Sequence, residues 1–272
     1  MKDTHAAQWE ELARREPYFP VLTHEGFSEV GSNSVATAAF FETGEADIDS
    51  LLQAMAALLG REIRPSLTLD FGCGAGRLTL PLARRSAQVV ACDIAPTMLA
   101  HARQNLEGAG LKNVRFMLTD ELTNELPKEW TDELTNELTG LSARDFDFVC
   151  ALLVFQHIPP PDGYALIRVM LNLLAPGGVA ALHVMLEPSG SRLLRFARFM
   201  RARSRHPRNR IAQQPPRRQP PFTRMHEYDE TVLIRDIDAA GTRLAGRFAT
   251  QHGDSTGVVL IVQRPATQPE TA

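Results

Sequence analysis

The stretch from Asp70 to Arg77 places an acid, three glycines at alternate positions and an arginine directly after an apolar run. The apolar run predicts a buried strand, and the glycines predict a tight turn that leads into a helix. Glycine adopts positive φ and lets a ligand approach the main chain, while free N–H groups at a helix start attract anions. Asp70 adds an acceptor for a cation. The pattern therefore predicts a site for a small molecule that carries a carboxylate and an ammonium group close together.

The spacing of Gly72, Gly74 and Gly76 also bears on which ligand the turn would hold. A dinucleotide-binding turn has the spacing G-x-G-x-x-G, in which the third glycine permits close packing of helix on strand. Here the spacing is G-x-G-x-G, and Arg77 stands at the position of that third glycine. The spacing therefore favours the ligand with a carboxylate and an ammonium group over a dinucleotide. A dinucleotide site and a purely structural turn are the alternatives.

The segment Asp70 to Arg77 resembles the first signature of class I S-adenosylmethionine-dependent methyltransferases. The resemblance covers residues 66–186 and, less closely, residues 226–264. It implies that the methyl donor S-adenosylmethionine is bound by Asp70, Gly72, Cys73, Gly74 and Gly76.

Asp93 ends the next predicted strand, in a segment, residues 89–99, that resembles the family's second signature. An acid at this end of a strand in an open α/β sheet faces the ligand crevice. The resemblance implies that Asp93 accepts the two ribose hydroxyls and that Ile94 and Met98 flank the adenine. The alternative for Asp93 is a cap for the helix that starts at Pro96, and the two roles are compatible.

The sequence TDELTNEL occurs twice, at residues 119–126 and 131–138. We interpret the copies as a local duplication that forms an acidic surface helix. Asp120 directly follows the third predicted strand, where the family often has an acid near the adenine amine, so the resemblance implies an adenine contact there. Asp132 has the same local sequence and is the alternative, as is a surface role for either acid.

The segment from Phe155 to Pro160 follows the fourth predicted strand, and in the implied fold it faces the methyl group that is transferred. Phe155 and Gln156 would line the methionine end of the donor. His157 is the candidate general base, because imidazole titrates near neutral pH. The alternative for His157 is a cap of the following helix.

Residues on the acceptor side are implied only by resemblance to a bacterial subgroup of the family. The segment Met225 to Tyr228 resembles that subgroup's entry into its last helix. The resemblance makes Tyr18, His226 and Tyr228 candidate substrate residues, and Tyr228 is also a candidate catalytic residue. Packing or capping is the alternative for each.

Strands and helices alternate from residue 66 to residue 186, which predicts a parallel sheet with right-handed crossovers. The last two predicted strands, residues 243–250 and 258–263, form an antiparallel hairpin. The expected fold class is α/β: a Rossmann-like class I methyltransferase with a mostly parallel seven-stranded sheet, an antiparallel C-terminal hairpin and helices on both faces. The expected domains are a helical cap at residues 1–60, a methyltransferase domain at 61–264 and a flexible tail at 265–272.

The net charge of −3 conceals a segregation of charge, since residues 191–218 hold ten arginines and no acid. We interpret residues 190–224 as a basic insertion in the domain. The arginine-rich segment 192–218 would bind an anionic acceptor, contact a polyanion such as nucleic acid or an anionic membrane, or simply be solvated.

The cysteines, Cys73, Cys92 and Cys150, are odd in number, lie in or beside apolar runs and show no zinc-ligand spacing. They predict reduced thiols in a cytoplasmic protein, with no metal. No apolar run is long enough for a transmembrane helix.

The expected activity is in-line SN2 transfer of the sulfonium methyl group to a small-molecule acceptor, such as a sugar, lipid-linked or natural-product hydroxyl, amine or carbon. The alternatives are a regulatory protein that binds S-adenosylmethionine without transfer activity, and a methyltransferase that acts on RNA or protein through its basic segment.

Overall fold

The computed structural model describes residues 2–15, 17–18, 34–119, 145–187, 225–252 and 255–266. The helices in these ranges are α1 (Lys2–Arg15), α2 (Ser34–Leu59), α3 (Thr79–Arg85), α4 (Pro96–Gly108), α5 (Pro160–Leu173) and α6 (Glu230–Ala239). The strands are β1 (Leu67–Phe71), β2 (Gln88–Asp93), β3 (Val114–Leu118), β4 (Phe146–Ala151), β5 (Leu174–Leu186), β6 (Glu227–Tyr228), β7 (Arg243–His252) and β8 (Ser255–Gln263). A short 3-10 turn, Phe155–His157, follows β4.

The strands form one sheet in the order β3-β2-β1-β4-β5-β8-β7. Strands β1 to β5 pair in parallel, and β8 runs antiparallel to both β5 and β7. The predicted seven strands and C-terminal hairpin are therefore confirmed, with the two-residue β6 as an addition that pairs with β5. Strand order reverses between β1 and β4, and a reversal of this kind leaves a ligand crevice beyond the carboxyl ends of the strands.

Helices cover both faces of the sheet, as predicted. Helices α5 and α6 bury Ile167, Leu171 and Leu233 against one face. Helices α2, α3 and α4 pack on the other face, where Ile48 and Met55 of α2 join the same cluster as residues of the strands. The helical cap predicted at residues 1–60 thus shares a core with the sheet, and the boundary at residue 60 stays a prediction.

The spacing of apolar residues predicts a helix from about Asp47 to residue 59, but helix α2 begins at Ser34. The predicted start was wrong because the apolar periodicity becomes regular only after Gly44, and glycine lowers helix stability. A Cβ at Gly44 would overlap with the main-chain carbonyl of Arg77. The Arg77 side chain, only 2% exposed, donates from Nη1 to Asp47 at 2.6 Å and to Thr43 at 3.2 Å. Glycine at this point of α2 therefore permits close packing on the turn after β1.

Two other boundaries differ from the predicted ones. The sequence pattern predicts a helix from about Gly163, but α5 begins at Pro160, because proline suits the first turn of a helix. The Pro-Gly-Gly sequence at residues 176–178 predicts a turn before a strand at residues 179–186, but strand β5 already begins at Leu174. Gly177 has a φ of +80°, and the pairing of β4 with β5 shifts register nearby, so this sequence is an irregularity within the strand.

Several predicted features lie outside the described residues. These are Asp120 and both TDELTNEL copies beyond Thr119, the arginine-rich segment 192–218, and residues 267–272 of the predicted tail. Within the described ranges, no helix combines the length and apolar character needed to cross a membrane.

The packing of α5 on Tyr228 gives a test of the fold. Gly163 lies in α5, and a Cβ there would overlap with the Tyr228 ring and hydroxyl. We expect Gly163→Ala to lower the free energy of unfolding by about 1–3 kcal/mol through overpacking. Urea denaturation measures this value.

The matched control is Gly108→Ala in α4, where the added Cβ meets no described atom within 4 Å apart from its chain neighbours and the backbone of its own helix. We expect this change to be neutral or to stabilise by up to about 1 kcal/mol, because alanine suits a helix better than glycine. Equal effects of the two substitutions would contradict the packing described for Tyr228.

Candidate active site

The turn after β1 is held in shape by three glycines with positive φ: +74° at Gly72, +52° at Gly74 and +90° at Gly76. A residue with a Cβ is strained at such angles. The N–H groups of Gly72 and Cys73 both donate to the carbonyl oxygen of Cys92, at 2.8 Å and 2.9 Å. The main chain of the turn is therefore fixed to the end of β2.

Asp93 forms a second connection between the turn and β2. Its Oδ2 accepts the Gly74 N–H at 2.9 Å, and its Oδ1 accepts the Ala95 N–H at 2.9 Å. The bond to Ala95 closes an Asx turn ahead of α4. It does not cap the helix as the alternative for Asp93 predicts, because the N-cap residue is Ala95 and no side chain caps it. Each carboxylate oxygen retains a further lone pair, so the ribose contact stays a prediction that this geometry permits.

Asp70 is buried at the end of β1, beside the glycine turn. Thr79 Oγ1 donates to Asp70 Oδ2 at 2.6 Å. Burial, with a smaller contribution from the charge of Asp93, raises the pKa of Asp70 to about 6, against the lowering effects of the Thr79 hydrogen bond and the Arg77 charge. The ionised carboxylate is thus costly in the free protein, and an adjacent cation would stabilise it.

The turn after β4 forms the opposite wall of the crevice. Leu153 has a φ of +63°, which for a non-glycine residue stores about 1–3 kcal/mol of strain and is most common at ligand sites. Val154 lies so close to Gly72 that a Cβ on this glycine would overlap with it. Phe155 is buried and stacks with Phe71 of β1 at a centroid distance of 6.2 Å. The two turns therefore pack directly on each other.

Gln156 and His157 are linked by their side chains. The Nε2 atoms of the two residues are 3.2 Å apart. An amide nitrogen can only donate, so the imidazole Nε2 is the acceptor in this contact. Gln156 is 7% exposed, and its Oε1 has no hydrogen-bond partner among the described residues. This oxygen is a buried acceptor to which a ligand could donate.

Tyr228 supports the main chain of the turn after β4. Its hydroxyl lies 3.0 Å from the Phe155 carbonyl oxygen and 2.8 Å from the Ile158 carbonyl oxygen, and it donates its proton to them. The N–H of His226 donates to the Gln156 carbonyl oxygen at 2.8 Å. Burial raises the pKa of Tyr228 above that of a free tyrosine. Both residues act here on the main chain of the turn, and their roles toward a substrate stay predictions.

Tyr18 is buried on the other side of the glycine turn. Its ring packs edge-on against Phe40 at 5.1 Å, and its hydroxyl lies 3.3 Å from Asn105 Oδ1. Asn105 Nδ2 in turn donates to the carbonyl oxygen of Ala75 at 3.0 Å. Tyr18 therefore supports the glycine turn through Asn105, and its predicted substrate contact stays a prediction.

Helix α1 makes contacts with the site that the sequence reasoning did not predict, although its amphipathic pattern indicates Trp9 as a packing residue. Glu10 accepts hydrogen bonds from the N–H of Thr97 at 3.0 Å and from its hydroxyl at 2.5 Å. The Trp9 ring lies 5.2 Å from the His157 ring.

Helix α1 also covers one of the predicted adenine neighbours. Ala13 packs with Ala95 and Met98. Met98 is thus buried under α1, whereas Ile94, the other predicted adenine neighbour, is half-buried. The amphipathic pattern of α1 gives no sign of partners so distant in sequence.

The sequence predicts three reduced thiols and no metal ion. In the part of the chain that the structure describes, no group of three or more histidine, cysteine or acidic residues is arranged to hold a metal ion. Cys73, Cys92 and Cys150 are buried free thiols. Burial raises the pKa of all three, so none is a reactive thiolate.

The raised pKa of Asp70 predicts how Asp70→Asn affects stability with pH. The carboxyl protonates near pH 6 in the folded state and near 3.8 in the unfolded state, so its stabilising contribution is complete below pH 3.8 and is lost as pH rises to 6. Asparagine does not titrate. We expect the free energy of unfolding of the variant, minus that of the wild type, to increase by up to about 3 kcal/mol from pH 4 to pH 7.

Denaturant unfolding of the ligand-free protein across this pH range measures the difference. A difference that is constant with pH, or that falls as pH rises, would contradict the burial of Asp70.

Residues 68–178 match the family model described as a methyltransferase domain. One curated relative is a ubiquinone biosynthesis O-methyltransferase from Xanthomonas euvesicatoria pv. vesicatoria strain 85-10, 33% identical over 118 residues, or 43% of this chain and 42% of that protein. The enzyme of the same name from Xanthomonas oryzae pv. oryzae strain PXO99A is 36% identical over 111 residues, which are 40% and 39% of the two chains. The matches thus span about two fifths of these relatives.

Two solved structures resemble most of the chain. Magnesium protoporphyrin IX methyltransferase (ChlM) from Synechocystis PCC 6803, with bound S-adenosylhomocysteine, has a TM-score of 0.56 at 20% identity and covers 92% of this chain and 97% of that one. The N-methyltransferase NodS from Bradyrhizobium japonicum WM9, also with S-adenosylhomocysteine, has a TM-score of 0.51 at 16% identity and covers 94% and 98%. Residues 68–178 therefore match a methyltransferase domain, and the described residues have the class I fold of these two methyltransferases.

Proposed function

We propose that this chain is an S-adenosylmethionine-dependent methyltransferase with a small-molecule acceptor. The observation that carries the proposal is the joint placement of two buried acids and the glycine turn at the carboxyl ends of β1 and β2. Asp93 fixes the turn through Gly74, and Asp70 lies at its start. The match of residues 68–178 to a methyltransferase domain supports the same function.

The polar groups of the site fit the parts of the methyl donor. The ammonium group would lie near Asp70, whose carboxylate is costly without a cation. Gln156 Oε1 offers a second buried acceptor across the crevice. The remaining lone pairs of Asp93 would accept the ribose hydroxyls, and Ile94 and Met98 would contact the adenine. The glycine turn would leave room for the amino-acid end of the donor.

The bound donor would supply an electrophilic methyl group on a sulfonium. The residues of the chain would hold the acceptor in line with it, and positioning of this kind contributes roughly 7–11 kcal/mol to lowering the barrier. For a hydroxyl acceptor, His157 would take the proton through Nε2 once the Gln156 amide has turned away from that nitrogen. Tyr228 would keep the turn that carries both residues in place.

A small molecule with a hydroxyl nucleophile is the acceptor that the comparisons favour. The curated relatives are named for O-methylation in ubiquinone biosynthesis. The matches to these relatives cover about two fifths of this chain. On the acceptor side, the candidates from the sequence are Tyr18, His226 and Tyr228.

The arginine-rich segment 192–218 favours an anionic group on the acceptor, and a second candidate function is methylation of RNA or protein through this segment. Its ten arginines are not balanced by any acid. Deleting residues 192–218 separates the two functions. Loss of turnover on a small acceptor would favour the first, and loss of polyanion binding at low salt would favour the second.

We also propose a reducing compartment such as the cytoplasm. The three free, buried thiols support this location.

Two measurements on the purified chain test the proposed function. Calorimetry with S-adenosylhomocysteine should give binding, and donor carrying a labelled methyl group should transfer the label to a component of a metabolite extract. Binding without transfer to any metabolite, RNA or protein would favour a regulatory protein. Absence of binding, together with binding of a pyridine nucleotide, would contradict the proposal.

Asp93→Asn should weaken binding of S-adenosylhomocysteine by about 10- to 100-fold. Asparagine cannot accept two main-chain N–H bonds and two hydroxyl bonds, and hydrogen bonds to a charged group contribute about 1.5–3 kcal/mol each. Asp147→Asn is the matched control. Asp147 also accepts two main-chain N–H bonds, from Ser66 at 2.8 Å and Leu67 at 3.0 Å, at the opposite edge of the sheet. Equal losses of affinity in both variants would contradict the ribose contact.

His157→Ala should lower the rate of methyl transfer to a hydroxyl acceptor by about 10²–10⁴-fold, because a positioned base contributes a factor of that size. Affinity for S-adenosylhomocysteine should change little. Steady-state kinetics and calorimetry measure the two quantities, and an unchanged turnover would remove His157 as the base.

A further inference from the structure

Helix α1 contacts both sides of the crevice. Its Glu10 and Ala13 bind the start of α4, which follows β2, and its Trp9 contacts the turn after β4. Strand β1 lies between β2 and β4 in the sheet. The helix therefore spans the carboxyl end of β1, where the glycine turn lies.

Glu10 is the polar anchor of this helix. Both of its carboxylate oxygens accept from Thr97, one from the N–H and one from the hydroxyl. Thr97 lies in the first turn of α4, where main-chain N–H groups have no partner within the helix. Partial burial acts to raise the pKa of Glu10, but the hydrogen bonds from Thr97 and the charge of Arg14 outweigh it and lower the pKa. The anchor is thus a carboxylate at neutral pH.

Trp9 is next to the anchor in sequence. Its ring meets the His157 ring edge-on, at 5.2 Å and an interplanar angle of 72°. The Gln156 amide contacts Nε2 of the same imidazole. Two neighbours, one aromatic and one polar, therefore limit the rotation of this ring.

We propose that Trp9 is a positioning residue for His157, and that the hydrogen bonds from Thr97 of α4 to Glu10 hold Trp9 at the site. The inference rests on the proposed function, because the orientation of His157 affects catalysis only if the crevice is a methyltransferase site. Loss of the Trp9 ring would free the imidazole to leave the orientation that a proton transfer requires. Misplacement of a reacting group by about 1 Å costs up to about 10²-fold in rate.

The first test needs no turnover. In the full chain labelled with ¹⁵N-histidine, the His157 ring signals are those that disappear in His157→Gln. We expect Trp9→Ala to shift them, Trp9→Phe to restore them largely, and Glu10→Gln to reproduce the Trp9→Ala shift. The matched control is Glu11→Gln, which removes only an exposed pair with Arg15 and should leave the signals unchanged. Unchanged His157 signals in Trp9→Ala or in Glu10→Gln would overturn the proposal.

The second test is a double-mutant cycle on the rate of methyl transfer. We expect Trp9→Ala to lower kcat by about 3- to 30-fold in the wild-type background, with Trp9→Phe closer to wild type. In the His157→Ala background the same change should lower kcat by less than about twofold. Equal losses in both backgrounds would assign Trp9 to the fold alone and overturn the proposal.

The two tests keep this inference separate from the proposed function. If no acceptor is methylated while the His157 signals respond as expected, the proposed function fails and the contact of Trp9 with His157 stands. If transfer occurs but the signals do not respond, the inference fails and the proposed function stands.

Discussion

The carboxylate of Asp93 is the interaction on which the candidate site depends. It accepts one N–H from the glycine turn and one from the segment that leads into α4. These two segments follow different strands, and neither has a regular secondary structure that would fix it alone. The buried carboxylate therefore fixes the glycine turn relative to the segment that leads into α4, the two segments that the proposed donor would contact.

Residues from parts of the chain that are distant in sequence contact and support the two turns of the site. Tyr228, from the last quarter of the sequence, binds two carbonyl oxygens of the turn after β4. Trp9, from the first helix, contacts the side chain of His157 in the same turn. Tyr18 supports the glycine turn through Asn105. Leu153, in the turn after β4, has a strained backbone, which is consistent with a segment whose shape is imposed by its surroundings.

The placement of the residues proposed to bind the donor could be predicted from the sequence because its determinants are local. Three glycines and two acids at strand ends are visible as spacing, and the structure places Asp70 and Asp93 at the edge of the sheet that they predict. The parallel sheet and its hairpin could be predicted for the same reason, since strands and helices alternate regularly.

What could not be predicted depends on contacts between residues far apart in sequence. Glu10 and Thr97 are separated by 87 residues, and no local pattern connects them. Gly44 lies ahead of the predicted start of α2 but within the helix, where its lack of a side chain permits close packing on Arg77. Tyr228 is a substrate candidate by resemblance to the bacterial subgroup, and that role stays a prediction. No local pattern shows that its hydroxyl lies against main-chain carbonyls. The apolar pattern of a segment shows that it packs, but not on which partner.

Amide hydrogen exchange with and without S-adenosylhomocysteine tests the central claim most directly. The claim is that the amino-acid end of the donor lies on the glycine turn and its nucleoside end lies beside Asp93. It predicts ligand-dependent protection in three segments, residues 72–76, 93–98 and 154–157, with little change at the opposite edge of the sheet around Asp147. Protection confined to other segments, or the same protection with a pyridine nucleotide and none with S-adenosylhomocysteine, would contradict the claim.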